Sequence, residues 1–194
     1  MPASDYVKNL RAKVGQDVIM FPTVSAIVLN DRGEVLLGQR SDNRQWSVIA
    51  GMMDPGEQPA DALVREVLEE TGVEVKIERV VGVALHQVVY PNGDHCHMVN
   101  TWFRCRAVGG EARVNDSESI AVGWFAPDAL PEMSPFAMVR IRTSLEEDAP
   151  AWFARPGEGE IARPSALIRP ASRDGSGPPR TRRPRAGPGP GHRA

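Results

Sequence analysis

The sequence predicts an α/β fold in which helices cover a β-sheet. Three observations predict it. Two strand-like runs, Thr23-Val24-Ser25-Ala26-Ile27-Val28-Leu29 and His97 to Val108, flank a stretch whose apolar residues Leu63, Val64, Val67 and Leu68 recur at helical spacing. Turn chemistry punctuates the chain at Asn30-Asp31-Arg32-Gly33 and Pro91-Asn92-Gly93-Asp94. Strand-type and helix-type segments are mixed along the chain, and no internal repeat interrupts them.

In order, Ser4 to about Val14 predicts a short helix with Tyr6, Leu10 and Val14 on one side, so residues 1–20 form an N-terminal helical extension. Thr23–Leu29 and Val35–Arg40 form a hairpin across the turn at Asn30–Gly33. Trp46 to Ile49 is a brief extended piece. Pro59 suits a first helical turn, where its missing N–H has no partner to lose. Gly72 suits the position just past the helix end, where a left-handed backbone is common. Two strands follow, Val75 to Val83 and Ala84 to Tyr90, then the turn at Pro91–Asp94 and the returning strand His97 to Val108. Ile120 to Phe125 is the last strand. Pro135 to about Glu147 closes the domain as a helix with Phe136, Val139 and Leu145 among its apolar residues.

The segment from Gly51 to Val73 carries the chemistry. Arg65, Glu66, Glu69 and Glu70 fall opposite the predicted apolar face of the helix. Glu66 stands three residues from Glu69 and four from Glu70, spacings at which like charges destabilise a helix. Carboxylates near a helix C-terminus also face its negative end. A solvated Glu-rich face with an Arg65–Glu69 pair would account for the helix alone. The loop before it adds more: Ala50-Gly51 and Asp54-Pro55-Gly56 are turn chemistry that sets Glu57 at a fixed distance from the helical carboxylates. A cation that prefers hard oxygen ligands, Mg²⁺ or Mn²⁺, turns the repulsion into attraction.

This segment resembles the signature of the Nudix hydrolases (the MutT-like superfamily). Gly51, Glu57, Arg65, Glu66, Val67, Glu69, Glu70, Gly72 and Val73 fill every fixed position of that box. The resemblance is strong over the box and looser from about Phe21 to Ala149. It implies a Nudix-type α/β/α sandwich with a mixed β-sheet, a Nudix hydrolase domain over residues 21–150, and hydrolysis of a diphosphate bond in a nucleoside diphosphate derivative. It further implies Mg²⁺ (or Mn²⁺) held by Glu66, Glu69 and Glu70, with Glu57 as an outer carboxylate and the backbone carbonyl of Ala50 as a further ligand. Ala50 departs from the Gly common there in relatives, a change that a carbonyl ligand tolerates. Asp54 stands where many relatives carry Glu. Arg65 orients the carboxylates through bidentate hydrogen bonds. The general base lies either in the box or at Glu118, which resembles the later carboxylate of some relatives and otherwise reads as an exposed loop acid.

Composition agrees with a soluble, cytoplasmic enzyme. The charged fraction, 25%, is ordinary for a globular domain. No apolar run approaches the length of a membrane span, and the first residues lack the apolar core of a signal peptide. Cys96 and Cys105 make no disulfide framework. Strand alternation sets them on opposite faces and sets His95 and His97 opposite Cys96, which argues against a joint metal site. The net charge of −2 hides a split: residues 155–194 hold nine Arg and three acids, and the rest of the chain is acidic. That Pro- and Gly-rich tail is expected to be disordered. It is the one feature favouring nucleic acid, and its composition is explained as well by a solvated extension.

Residues outside the box must read the leaving group. Arg40 and Arg44 are candidates for phosphates, Trp46 and Tyr90 for stacking on a base, with His86, His97 and Asn100 beside them. Exposed loop charges and core aromatics are the plainer alternatives. Tyr90 is placed as in some dinucleoside-polyphosphate hydrolases, and Pro91 resembles the Pro of ADP-ribose pyrophosphatases. Nucleoside triphosphates and ADP-ribose-like molecules rank together as substrates, ahead of dinucleoside polyphosphates. A non-catalytic ligand-sensing module is the remaining alternative, which the intact box acids disfavour. Similar proteins imply a homodimer.

Overall fold

A computed structural model describes residues 5–90 and 92–158. The expected disorder of residues 155–194 falls almost wholly outside them. Eight strands form one sheet: β1 (Ile19–Leu29), β2 (Val35–Arg40), β3 (Trp46–Ser47), β4 (Ile49–Met52), β5 (Val73–Val89), β6 (His95–Gly110), β7 (Ser119–Phe125) and β8 (Trp152–Phe153). The strand order is β3-β2-β1-β6-β5-β8, with β4 pairing to β1 and β7 to β2. β1 runs parallel to β6, while β5 and β6 are antiparallel, so the sheet is mixed as expected.

Two helices cover the two faces. Ala62, Leu63 and Val67 of α2 (Pro59–Thr71) pack on Val24, Ala26, Val28, Phe103 and Cys105. Phe136 and Ile141 of α3 (Pro135–Leu145) pack on Ile27, Leu29, Val81 and Trp102. A third, smaller cluster joins Val7 of α1 (Asp5–Val14) to Ile19, Phe21 and Cys96. Cys96 and Cys105 are free, buried and in different clusters, in keeping with strand alternation. Among the described residues no helix is long and apolar enough to cross a membrane.

Several elements differ from expectation for physical reasons. β1 starts at Ile19 and runs through Pro22, a residue that argues against a paired strand. Pro22 is tolerated because the β4 pairing ends at Thr23↔Met52, leaving β1 an edge there. The two strands expected between Val75 and Tyr90 are one strand, β5, kinked by register shifts at Glu74/Val75, Ile77/Arg79 and Val80/Gly82. β8 was not expected; it pairs Trp152 and Phe153 with Gly82 and Val83. The buried side of α1 carries Val7, with Leu10 half-buried, while Tyr6 and Val14 face solvent. On α3 the inward positions include Arg140 and Ser144, and Val139 and Leu145 are only half-buried.

The largest correction concerns α2. Its buried residues are Ala62, Leu63, Val67, Glu70 and Thr71, whereas Val64 and Leu68 are 40% and 46% exposed. Glu70 therefore shares the inward side with Leu63 and Val67, and does not lie opposite it. The helix ends are as expected. Pro59 opens it, and Gly72 closes it at φ 71°, its N–H donating to the Leu68 carbonyl at 2.9 Å.

Candidate active site

β4 and α2 build the site together. Gly51 pairs with Val24 of β1 and lies directly under α2. A Cβ at position 51 would fall inside the Glu66 carboxyl group, so only glycine leaves that carboxyl its place. The Asp54–Glu57 turn follows, with the Glu57 N–H donating to the Asp54 carbonyl at 3.0 Å and the Asp54 N–H donating back to the Glu57 carboxylate at 3.0 Å.

Arg65 gathers the carboxylates. Its Nε and Nη2 donate to Glu57 Oε1 and Oε2 at 2.8 and 3.0 Å, a bidentate fork. Its Nη1 donates to Glu66 Oε1 at 2.9 Å and Glu69 Oε2 at 3.1 Å, and Nη2 also reaches the Met52 carbonyl at 3.3 Å. The Glu57 bond holds Arg65 firmly charged and pulls the Glu57 carboxyl below its ordinary range. Lysine offers one point charge in place of this fork. Arg65→Lys is expected to lower kcat/KM about 10–100-fold while the melting temperature moves little, because outer carboxylate orientation is lost and the core is not.

The inner carboxylates have the opposite character. Burial raises Glu66 despite Arg65. Glu70 is pushed up to about 9, first by burial and then by Glu66, Glu118 and Asp116. It is 8% exposed, and burial is the largest influence on its carboxyl. Glu118 is half-buried and raised by burial, and its charge acts on both Glu66 and Glu70. The β6–β7 loop that brings it there is tied to the end of α2. Asn115 Nδ2 donates to the Leu68 and Glu69 carbonyls at 3.1 Å each, and the Asn115 N–H to the Glu70 carbonyl at 3.2 Å. The Ser41 N–H donates to the Glu118 carbonyl at 2.8 Å.

This donor set fits a divalent cation. It offers hard oxygens, it is half-desolvated, and its inner members repel one another while Arg65 is shared among Glu57, Glu66 and Glu69. Among the described residues no three His, Cys, Asp or Glu side chains already converge on one metal-sized point. Arg65 draws Glu57, Glu66 and Glu69 to itself through its hydrogen bonds.

The outer candidates divide. Arg40 pairs with Asp42, Nε to Oδ1 at 2.9 Å, and lies within electrostatic reach of Tyr90, Glu118 and Glu70. Tyr90 is half-buried, on the edge of the Val7–Phe21–Cys96 cluster. Arg44 is exposed at φ 60° on the β2–β3 loop, with no side-chain hydrogen bond among the described residues. Trp46 meets Phe125 edge-on at 4.8 Å and packs on the α3-side cluster, which is a core use of the ring. His97, beside exposed Met20, lies on the face away from Cys96. His86 stacks on Phe136 at 4.9 Å.

Sequence reasoning missed two features. Asn115, which anchors the Glu118 loop, carries no spacing signal because its partners lie 46 and 47 residues earlier. The second is a buried polar cluster behind β4. Asn100 Nδ2 donates to Thr23 Oγ1 and Ser25 Oγ at 3.0 and 2.9 Å, and Arg140 Nη1 donates to the same Ser25 hydroxyl. Burial with no acidic partner lowers Arg140 to about 9, and its guanidinium lies 4.3 Å over the Phe136 ring. Ser25 pairs with Ala50, so this cluster backs the strand that leads into the box.

Residues 20–145 match the NUDIX domain family, and the chain belongs to that family of pyrophosphohydrolases. It is 33% identical over 129 residues to a "MutT-like protein" of Streptomyces ambofaciens, covering 66% of this chain and 79% of that one. It is 34% identical over 105 residues to a "Putative 8-oxo-dGTP diphosphatase" of Bacillus subtilis, covering 54% and 66% respectively. The fold is similar to the crystal structure of an ADP-ribose pyrophosphatase from Streptococcus suis, with a TM-score of 0.52, 27% identity, and coverage of 65% of this chain and 90% of that one.

Proposed function

We propose that this chain is a Mg²⁺-dependent hydrolase that cleaves a diphosphate bond in a nucleoside diphosphate derivative, either a nucleoside triphosphate or an ADP-ribose-like molecule. The observation that carries this reading is the buried Glu70 within electrostatic reach of Glu66, Glu118 and Asp116. Such a set is costly unless a cation sits in it. Glu66, Glu69 and Glu70 would hold the cation with the Ala50 carbonyl, and Glu57 would stand outside. When bound, the cation supplies charge for the bridging phosphate oxygens and acidifies a water.

The chain's own residues do the rest. Arg65 sets the angle of Glu57, Glu66 and Glu69 through its hydrogen bonds. Glu118, whose burial raises its proton affinity above that of a free carboxylate, is suited to take a proton from the attacking water, and Glu69 is the alternative acceptor. The water oxygen adds to one phosphorus and the P–O bond to the bridging oxygen breaks, so an ADP-ribose-like substrate gives two phosphate monoesters and a nucleoside triphosphate gives a nucleotide with inorganic pyrophosphate or phosphate. Arg40, within electrostatic reach of Tyr90 and Glu118, would meet a phosphate, and Tyr90 would contact the leaving group.

Two relatives support the two substrate classes. One is named for 8-oxo-dGTP and one for ADP-ribose. A panel of dGTP, 8-oxo-dGTP, ADP-ribose and diadenosine tetraphosphate with Mg²⁺, products resolved by ion-exchange chromatography, tests the proposal. Hydrolysis of at least one of the first three is expected. Inertness toward all four would remove the reading.

A further inference from the structure

α1 lies ahead of the residues that match the family, yet it is bonded to the turn that carries Tyr90. Arg11 is the link. Its Nη1 donates to the Gly15 and Asp17 carbonyls at 3.1 and 2.7 Å, tying down the end of its own helix. Its Nη2 donates across to the His95 carbonyl at 2.8 Å and to Cys96 Sγ at 3.2 Å, and its Nε lies 3.5 Å from Asp94 Oδ2. The side chain is 13% exposed, so these contacts are largely shielded from water. Gln16 adds a second tie, its Nε2 donating to the Asn92 carbonyl at 3.2 Å.

The far side of that turn is Tyr90. Its N–H donates to the Asp94 carbonyl at 2.9 Å, and its own carbonyl accepts from the Gly93 N–H at 2.9 Å. Arg11 therefore grips the same short turn through Asp94, His95 and Cys96 that Tyr90 opens. The Tyr90 ring rests against the cluster that Val7 completes, and it lies within electrostatic reach of Arg40 and Asp42. Arg40 in turn is felt by Glu118 and Glu70. Met52 packs on the same cluster, and its carbonyl accepts from Arg65. One small helix thus supports both the outer contact residue and the loop that enters the box.

We propose that Arg11 is a positioning residue: through it, α1 fixes residues 92–96 so that Tyr90, bonded to Asp94 and Gly93, faces the Arg40 side of the diphosphate site. This rests on the reading of Tyr90 as a leaving-group contact. Arginine is required because one planar fork reaches four acceptors on two elements, which no other side chain does. The bland alternative is that α1 only shields Phe21 and Cys96 from water.

The test uses Arg11→Ala in the full chain, with Arg11→Gln as a variant of closer volume, each also in a Tyr90→Ala background. Hydrolysis is followed on ADP-ribose and on dGTP with Mg²⁺, and hydrogen exchange is read in parallel. Positioning predicts a rise in KM of roughly tenfold with kcat nearly unchanged. It predicts no further rise when Tyr90 is already alanine, since the pair then acts as one unit. Exchange at residues 92–96 is expected to speed up about tenfold while α2 exchanges as before. Unchanged exchange at the turn overturns the clamp whatever the activity. Faster exchange with unchanged KM, or a kcat loss that adds to that of Tyr90→Ala, overturns the positioning role and leaves α1 as a cover. A wild-type chain inert toward both nucleotides contradicts the proposed reaction instead, and the exchange result still decides whether Arg11 holds the turn.

Discussion

Replacing Glu70 with glutamine is expected to destroy turnover and to strengthen the metal-free fold. The two effects share one cause. Glu70 is a buried carboxyl held up to about 9 by burial and by its acidic neighbours. Its folded pKa lies above its unfolded value, so the folded state keeps the proton more tightly. Stability from this group is then full below about 4.5 and is lost progressively as pH rises toward 9. Glutamine has the shape of the protonated acid and carries no such penalty. At pH 8, without divalent ions, Glu70→Gln is expected to unfold about 1–3 kcal/mol less readily than the wild type. Its kcat/KM is expected to fall on the order of 10²–10³-fold, the loss typical when a group that stabilises transition-state charge is removed. Thermal denaturation at pH 5 and pH 8, with and without Mg²⁺, reads the first effect. The stability gain should shrink at pH 5, and the wild type should recover when Mg²⁺ is added. A variant less stable than the wild type at pH 8 would show that Glu70 is a structural acid.

Gly51→Ala is the second large effect, and it separates function from folding. The added methyl would occupy the space of the Glu66 carboxyl. The methyl would also crowd the Glu66 Cγ, so the fold yields only by swinging the whole Glu66 side chain to another rotamer. Stability is expected to change by less than about 1.5 kcal/mol. Glu66 then leaves both Arg65 and the inner set, and kcat/KM is expected to drop roughly a hundredfold. The measurement is kcat/KM beside the melting temperature. A variant with full activity would mean that Glu66 has no fixed place in the reaction.

The chain wrote some of this plainly. The box spacing named Glu57, Arg65, Glu66, Glu69 and Glu70, and the Pro59 and Gly72 signals bounded α2 to the residue. Those features are local, and local rules reach them. The inward turn of Glu70 was hidden because Val64 and Leu68 are apolar and drew the predicted stripe toward themselves. A carboxyl buried at the expense of a valine breaks the pattern that drives helix packing, and such breaks concentrate where chemistry is done. The kinks that make β5 one strand depend on how β6 is registered against it, which no short window of sequence contains. Arg140 faces inward because Ser25, 115 residues earlier, offers it a hydroxyl. Arg11 and Asn115 belong to the same class: their partners are backbone carbonyls from distant elements, and a carbonyl leaves no trace in the side-chain alphabet.

The most direct test of the central claim, that the α2 carboxylates work by holding a divalent cation against a diphosphate, is a calorimetric titration of Mg²⁺ into the wild type and into the Glu66→Gln/Glu69→Gln/Glu70→Gln chain. Buffers of different ionisation enthalpy would be used near pH 8. The account predicts uptake by the wild type with release of a proton, since Glu70 must ionise to serve, and no uptake by the triple variant. Equal uptake by both chains, or hydrolysis of ADP-ribose or dGTP that persists in excess EDTA, would contradict it.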